Sequence, residues 1–333
     1  MRQAVLDIGT NTVKLLVAET RAQPSLRISP ILEDAVTTRI GEGVHKSGEL
    51  DREAMKRTLD VIARFASRAR ELGAEKVFAF ATSAVRDAAN GRFFLAETRA
   101  RMGVELEILS GETEARYAFA GVTSDEAFAA REIVTIDIGG GSTEICFGDA
   151  QGLKAHDSLD IGAVRLTEMF CQNDPMTECE FAEMGEFAAS QLRKLPPEFP
   201  TIAARRDAGT EPPPLIATGG TAMTLAAIEL CHSGRARPFH PVSDAQAIAP
   251  SGDRFPIDHH ELATLPQLAD GLRRMPLDER KKVAGLPSAR ADIIVAGATI
   301  LWEAMRFFGA HSVTVSVRGA RYGALVIGLR AAA

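Results

Sequence analysis

Two blocks of this 333-residue chain carry the same short set of chemistry-bearing residues. Asp7–Ala18 reads DIGTNTVKLLVA, and it aligns without a gap on Asp137–Gly148, DIGGGSTEICFG. Asp, Ile and Gly coincide, Thr12 meets Ser142, and both blocks run on as an apolar strand. Gly9, Gly139, Gly140 and Gly141 permit close backbone approach and positive φ, which suits a nest of N–H groups around an anion. Thr10, Asn11, Thr12, Ser142 and Thr143 add short side-chain donors at the same place. Either block alone reads as well as a tight hairpin; their repetition points to phosphate. Asp7 and Asp137 would then stand at strand ends beside phosphate oxygens, an arrangement that requires a bridging cation. Mg²⁺ is expected, with Mn²⁺ as the alternative. Glu144 either completes that cation's oxygen shell or is an exposed strand residue.

Other residues are open to two readings each. Glu114, in SGETEAR, falls in the first turn of a helix, where an acid complements the helix dipole. Arg86, in ATSAVRDA, could clamp phosphate with its fork of donors or pair with a surface acid. Lys14 lies two residues past the first turn, within reach of a bound polyanion. Gly219 and Gly220, in ATGGTAMTLAAI, mark a strand end and a helix start, which suits a phosphate or a close helix–strand crossing. The run containing Arg280, Lys281, Lys282 and Arg290 reads as a solvated face. His259–His260 reads as a solvated helix start, with a metal pair as the alternative. The four cysteines show neither a CxxC pair nor zinc-like spacing and read as small buried thiols in a reducing compartment.

The elements that must position these residues follow from periodicity. QAVLDIG, NTVKLLVAE and LRISPILEDAVTTRI read as three β-runs joined by turns. Met55, Leu59, Ile62, Ala66 and Ala69 recur at helical spacing, predicting a helix over 51–72 with Asp51 as N-cap and Gly73 as its stop. A strand over 76–82, a helix over 84–102, a strand over 105–109 and a helix from Gly111 follow. Near Glu132 the pattern restarts with three β-runs, then helices over 163–171 and 177–194. The Pro-rich stretch from Pro196 to Pro214 reads as a surface loop. A strand and helix over 215–230 come next, then a loop rich in Pro, Ser and His. Three helical segments up to about Phe308, the strand SVTVSV and a last helix over RYGALVIGLR complete the chain. The alternation is that of an α/β protein. The restart implies two related domains, 1–125 and 126–333, with a ligand cleft between them and a last helix that can pack back on the first.

Composition sets the outer bounds. Apolar residues make up 46% and charged residues 25%, the profile of a soluble globular protein. A net charge of −6 argues against a general nucleic-acid binder. The longest purely apolar stretch, Ile293–Ile300, falls far short of the roughly 20 residues a membrane helix needs. The N-terminus enters a strand pattern directly and shows no signal peptide, so a cytoplasmic location is expected.

Taken together, DIGTNTVKLLVAE, GEGVHKSGELDREAMKRTL, FATSAVRDAANG, EILSGETEAR, IDIGGGSTEI, ATGGTAMTLAA, ERKKVAGLPSARADIIVAGA and SVRGARYG resemble the exopolyphosphatase / guanosine pentaphosphate phosphohydrolase (Ppx/GppA) family. The resemblance runs nearly end to end. It implies two duplicated actin-like (ribonuclease H-like) domains, the architecture of the sugar kinase, heat-shock ATPase and actin superfamily, closing on a phosphate cleft. It also implies Mg²⁺-dependent attack of water on a terminal phosphoryl group of inorganic polyphosphate, with guanosine pentaphosphate (pppGpp) as the alternative substrate. A kinase on the same scaffold and a non-catalytic sensor are the remaining alternatives. By that resemblance Glu114 is the general base, Asp137 and Glu144 serve the cation, and Asn11, Arg86 and the Gly139–Thr143 turn hold phosphates. Dimers are common in the family, so the resemblance leaves a homodimer open, although no stripe in the sequence marks a self-complementary face. Longer members add helical C-terminal domains that hold long polyphosphate chains. A chain ending at Ala333 is therefore expected to act less processively.

Overall fold

The apolar runs RQAVLDI and TVKLLVAETR form β1 (Arg2–Ile8) and β2 (Thr12–Arg21), an antiparallel hairpin closed by the Gly9–Asn11 turn. The protein is described by a computed structural model covering residues 1–21, 27–200, 213–234 and 259–331. The expected loops over Pro196–Pro214 and after Leu230 lie largely outside the described residues. The chain divides into two units: Met1–Ser124 with the C-terminal stretch from Arg318, and Asp125–Val317 apart from the undescribed segments.

In the first unit β3 (Arg27–Thr37), β4 (Lys76–Ala81) and β5 (Leu106–Ile108) complete a sheet of order β3-β2-β1-β4-β5. β1, β4 and β5 are parallel neighbours, so their C-terminal ends lie along one edge. That edge receives the Gly9 turn from β1, the start of α3 (Ser83–Asp87) from β4 and the start of α5 (Gly111–Thr123) from β5. β1 is buried on both faces, which explains its unbroken apolar reading. Leu6 and Ile8 pack with Ile62 and Phe65 of α2 (Arg52–Glu71) and with Phe94 of α4 (Gly91–Met102); Val5 packs with Leu109 and Leu325. A four-residue α1 (Val44–Ser47) precedes α2. Asp51 caps α2 by accepting from Ala54 N–H at 2.9 Å, and Gly73 ends it at φ 76°. The single helix expected over 84–102 is two helices. Ala88, the C-cap of α3, turns extended, and Asn90 leaves the helical path to bond Leu50 through its side-chain amide.

The second unit repeats the plan. β6 (Ile133–Ile138), β7 (Thr143–Asp149) and β8 (Gly152–Leu159) form a meander, and β9 (Leu215–Thr218) runs parallel to β6. Strands β10 (Glu261–Leu262) and β11 (Val313–Val315) extend the order to β10-β11-β9-β6-β7-β8. One face of this sheet, including Val134, Ile136, Ile145, Phe147, Leu215 and Ala217, enters the unit's core. Packed around that core are α7 (Ala163–Phe170), α8 (Glu178–Leu192), α9 (Gly219–His232), α10 (Leu265–Arg273) and α12 (Ile294–Phe308). Short α6 (Glu126–Ala129) and α11 (Leu277–Arg280) are connectors. No described helix is long and apolar enough to cross a membrane.

The last helix, α13 (Ala320–Ala331), belongs to the first unit, where it packs on α5. Tyr322 donates its hydroxyl to Glu33 Oε1 at 2.5 Å, and Arg321 donates to Glu33 Oε2 at 2.9 Å and to the Leu15 carbonyl at 2.7 Å. Burial, with the Glu33 carboxylate beside it, pushes the Tyr322 hydroxyl well above its ordinary pKa. The two helices meet backbone to backbone. A Cβ on Gly323 would stand 1.7 Å from the Tyr117 carbonyl oxygen, and one on Gly121 2.1 Å from that of Gly319. Neither neighbour is a side chain that can swing away. Gly323→Ala must therefore separate the helices and is expected to cost about 3 kcal/mol, the upper range for overpacking. Urea unfolding of the variant beside the wild type measures it.

Candidate active site

In the first unit the turn after β1 is braced from two sides. Gly9 N–H donates to the Thr12 carbonyl at 3.1 Å, closing the turn on itself. The segment after β3 wraps it: Thr38 and Arg39 N–H both donate to the Asn11 carbonyl at 3.0 Å, and Gly41 N–H donates to that of Thr10 at 2.9 Å. Arg39 adopts φ 54°, unusual for a residue with a Cβ. Thr10 Oγ1 shares a hydrogen bond of 2.9 Å with Ser83 Oγ, tying the turn to the start of α3. Asn11 Oδ1 and Thr38 Oγ1 are buried without a hydrogen bond among the described residues. Lys14 stands opposite Asp7 across the β1–β2 pair, its Nζ 3.5 Å from Asp7 Oδ2. Asp7, expected as a metal ligand, is thus ion-paired, and Lys14 is engaged with it.

Arg86 and Glu114 arrive on neighbouring parallel strands. Thr82 N–H donates to the Ile8 carbonyl at 3.2 Å, which sets α3 beside the turn, and Leu109 N–H donates to that of Ala81 at 2.9 Å. Ser110 caps α5 by accepting from Thr113 N–H, so Glu114 lies in the helix's first turn. Arg86 Nη1 donates to Glu114 Oε2 at 3.2 Å and to the Leu109 carbonyl at 3.1 Å. The structure therefore brings Arg86 and Glu114 together; Asp87, 3.5 Å from Arg86 Nε, is the surface acid of the alternative reading. Glu114 is more than an acid at a helix start, because the guanidinium orients one of its oxygens.

The second unit uses the same hairpin register with different charge. Asp7 faces Lys14 in the first unit, whereas Asp137 faces Glu144 in the second. Glu144 is 2% exposed, so it is not an exposed strand residue. Its Oε1 accepts from Ser158 Oγ at 2.9 Å. Asp137 is also in register with Thr218 on β9. Thr218, Asp137, Glu144 and Ser158 thus form a polar row across four strands, on the face turned away from the apolar core. Asp137 Oδ1 lies where a Cβ on Gly219 would stand, at 2.1 Å, and Gly219 holds φ 84°. Glycine is required there twice over, by space and by backbone conformation.

Several expectations change here. Gly9 and Gly139 are needed for close approach, not for positive φ, which neither adopts. A Cβ on Gly139 would stand 3.0 Å from the Ser142 carbonyl, and Gly139 N–H donates to that carbonyl at 3.0 Å. Gly140 and Gly141 are held by α7: the Gly140 carbonyl accepts from Val164 N–H at 2.8 Å and the Gly141 carbonyl from Arg165 Nε at 2.8 Å. Thr143 Oγ1 donates to the Ile161 carbonyl at 2.6 Å, so its proton is already committed. Gly220 meets a buried arginine: its Cβ would stand 2.2 Å from Arg290 Nη2. Burial pushes the Arg290 guanidinium down to about 10. The basic run is therefore not one solvated face. Arg280 and Arg290 are buried, Arg280 donating to the Ala291 and Met275 carbonyls, while Lys281 and Lys282 sit outside beside Asp278 and Glu279. His259–His260 does not start a helix: His260 is buried, hydrogen-bonded to Glu229 at 2.7 Å, and leads into β10. All four cysteines are free, but only Cys146 is fully buried and Cys179 is exposed. Thr38, Ser83 and Ser158 were not singled out in the sequence. Only the Ser158–Glu144 pairing had a signal, and it needed the β7–β8 register.

A divalent cation can be tested against these residues. Among the described residues no three His, Cys, Asp or Glu side chains gather as a metal-binding group. The Asp137–Glu144 pair nevertheless fits Mg²⁺, which takes one or two carboxylates and fills its shell with water and phosphate oxygens. Two acids facing one another across a ladder repel unless a positive charge joins them.

Residues 16–331 match the Ppx/GppA phosphatase family. Exopolyphosphatase 1 of Mycobacterium tuberculosis is 31% identical over 326 residues, covering 98% of this chain and 88% of that protein. The crystal structure of the Aquifex aeolicus Ppx/GppA family member superposes with a TM-score of 0.75 at 29% identity, covering 100% of this chain and 98% of the other. That of an exopolyphosphatase from Cytophaga hutchinsonii gives 0.82 at 25% identity, covering 99% and 98%. Two α/β units built on the same hairpin register account for the repeated sequence block. The chain belongs to the Ppx/GppA phosphatase family and is a phosphoanhydride hydrolase.

Proposed function

We propose that the protein is an exopolyphosphatase that removes terminal phosphate from inorganic polyphosphate with the help of Mg²⁺. The observation that carries this reading is the exchange of charge within the duplicated hairpin. Where the first copy neutralises its aspartate with Lys14, the second sets Glu144 against Asp137. Two facing carboxylates are a donor set that a divalent cation uses. The names of the curated relatives favour polyphosphate as the substrate.

Asp137 and Glu144 would hold the cation, which when bound supplies positive charge to the phosphate oxygens. The chain's own residues have the remaining tasks. Asn11, Arg86 and the Gly139–Thr143 turn would hold phosphate oxygens, as the resemblance implies. Arg86 fixes one carboxylate oxygen of Glu114, and the oriented carboxylate accepts a proton from the attacking water. In-line attack then forms the new P–O bond as the bridging P–O bond breaks, and the shortened chain leaves with the electron pair. Positioning and charge compensation dominate such a reaction.

Phosphate release from long-chain polyphosphate, short polyphosphate and guanosine pentaphosphate, with and without Mg²⁺, tests the assignment. Polyphosphate should be turned over fastest, and chelation should abolish turnover until Mg²⁺ is restored. Preference for guanosine pentaphosphate would move the assignment to that substrate, and binding without release would make the protein a sensor. Glu114→Gln should lower kcat at least about 100-fold, the lower end for loss of a general base, with KM little changed. Wild-type turnover in that variant would remove Glu114 from the mechanism.

A further inference from the structure

Thr218 ends β9 and occupies the N-cap position of α9, yet it does not behave as a capping residue. A threonine there ordinarily accepts from an N–H of the first helical turn. Thr218 makes no such bond. Its side chain is 1% exposed, and Oγ1 has no hydrogen-bond partner among the described residues. A hydroxyl stranded this way costs stability, and native proteins retain such groups where a ligand uses them.

The sheet sets Thr218 beside the acid pair. Thr218 and Asp137 are register partners on parallel strands, so their side chains leave the same face. Parity along β9 agrees, because Leu215 and Ala217 belong to the apolar core while Thr218 does not. Asp137 in turn faces Glu144, whose own neighbour Ser158 already donates a hydroxyl to it. The acid pair is thus flanked by a hydroxyl on each side in sequence of strands. Ser158 is spent on Glu144; Thr218 is not spent on anything.

We propose that Thr218 is a positioning residue of the divalent-cation site, its hydroxyl hydrogen-bonding a water of the shell around the cation held by Asp137 and Glu144. This rests on the cation assignment made above for that pair. Groups that orient metal-bound water commonly change metal affinity about 10–100-fold when removed. Valine matches threonine in shape and lacks only the hydroxyl, while serine keeps the hydroxyl.

The test is calorimetric titration of the full chain with Mg²⁺ alone, without phosphate, for wild type, Thr218→Val, Thr218→Ser and Asp137→Asn, beside thermal unfolding of the cation-free proteins. Thr218→Val should bind Mg²⁺ about 10-fold more weakly and, freed of a stranded hydroxyl, unfold at an equal or higher temperature than wild type. Thr218→Ser should restore most of the affinity. If Thr218→Val binds as wild type while Asp137→Asn does not, this proposal fails and the cation assignment stands. If Thr218→Val unfolds at a lower temperature without cation, the hydroxyl is a structural group and the proposal is overturned. If Asp137→Asn leaves binding unchanged, the cation assignment itself is wrong, and this inference falls with it.

Discussion

The second unit is organised around two carboxylates that its own hairpin forces together. The β6–β7 register leaves no freedom: once Ile136 and Ile145 pair on the core face, Asp137 must face Glu144 on the other. Like charges directly opposed on a ladder are unfavourable, and neighbouring residues accommodate the pair. Ser158 donates to Glu144 from the next strand, and Gly219 withdraws its side chain so that the Asp137 carboxylate has room. In the first unit the identical register sets Asp7 against Lys14, so the same scaffold there is closed electrostatically. Duplication kept the backbone and exchanged the charge.

Placement of Glu114 depends on a different constraint, the approach of two backbones. α5, which carries Glu114 at the sheet edge, lies against α13 with a glycine on at least one side of each closest approach, Gly323 against Tyr117 and Gly121 against Gly319. α13 is in turn anchored to β2 and β3 by Arg321 and Tyr322, which together occupy both oxygens of the buried Glu33. A residue near position 320 thereby governs where a residue near position 114 stands. Arg86 supplies the last degree of order, holding one Glu114 oxygen while its other bond to the Leu109 carbonyl keeps the guanidinium in place.

Much of this was legible in the chain. The duplicated Asp-Ile-Gly blocks fix the hairpins because their apolar alternation and turn residues are local signals. The α2 helix is legible for the same reason, with its stripe from Met55 to Ala69, its Asp51 cap and its Gly73 stop. What escaped depends on who stands beside whom. Arg280 and Arg290 look like a solvated run, since nothing local says that carbonyls and Gly220 will take them in. The break between α3 and α4 turns on a bond from Asn90 to Leu50, forty residues away in sequence. Lys14 reads as a hand for the ligand until the register shows Asp7 opposite it. Glu144 could be read either way from spacing, and only the β7–β8 pairing buries it.

The distribution of hydrogen-bond debts makes the same point from the energetic side. Among the described residues, the buried hydroxyl and amide atoms lacking a partner are Asn11 Oδ1, Thr38 Oγ1 and Thr218 Oγ1. Each costs about 1–3 kcal/mol relative to a satisfied group. They are not scattered: Asn11 and Thr38 are joined through the Asn11 carbonyl at the end of β1, and Thr218 stands beside Asp137 at the end of β6. Arg39, at φ 54°, adds backbone strain to the first of these places. Other buried threonines are satisfied within the protein, as Thr58, Thr98 and, in the second turn itself, Thr143 each donate to a carbonyl. Among the described residues Thr38 and Thr218 are the buried exceptions, and each holds a hydroxyl ready for something polar that arrives beside its turn.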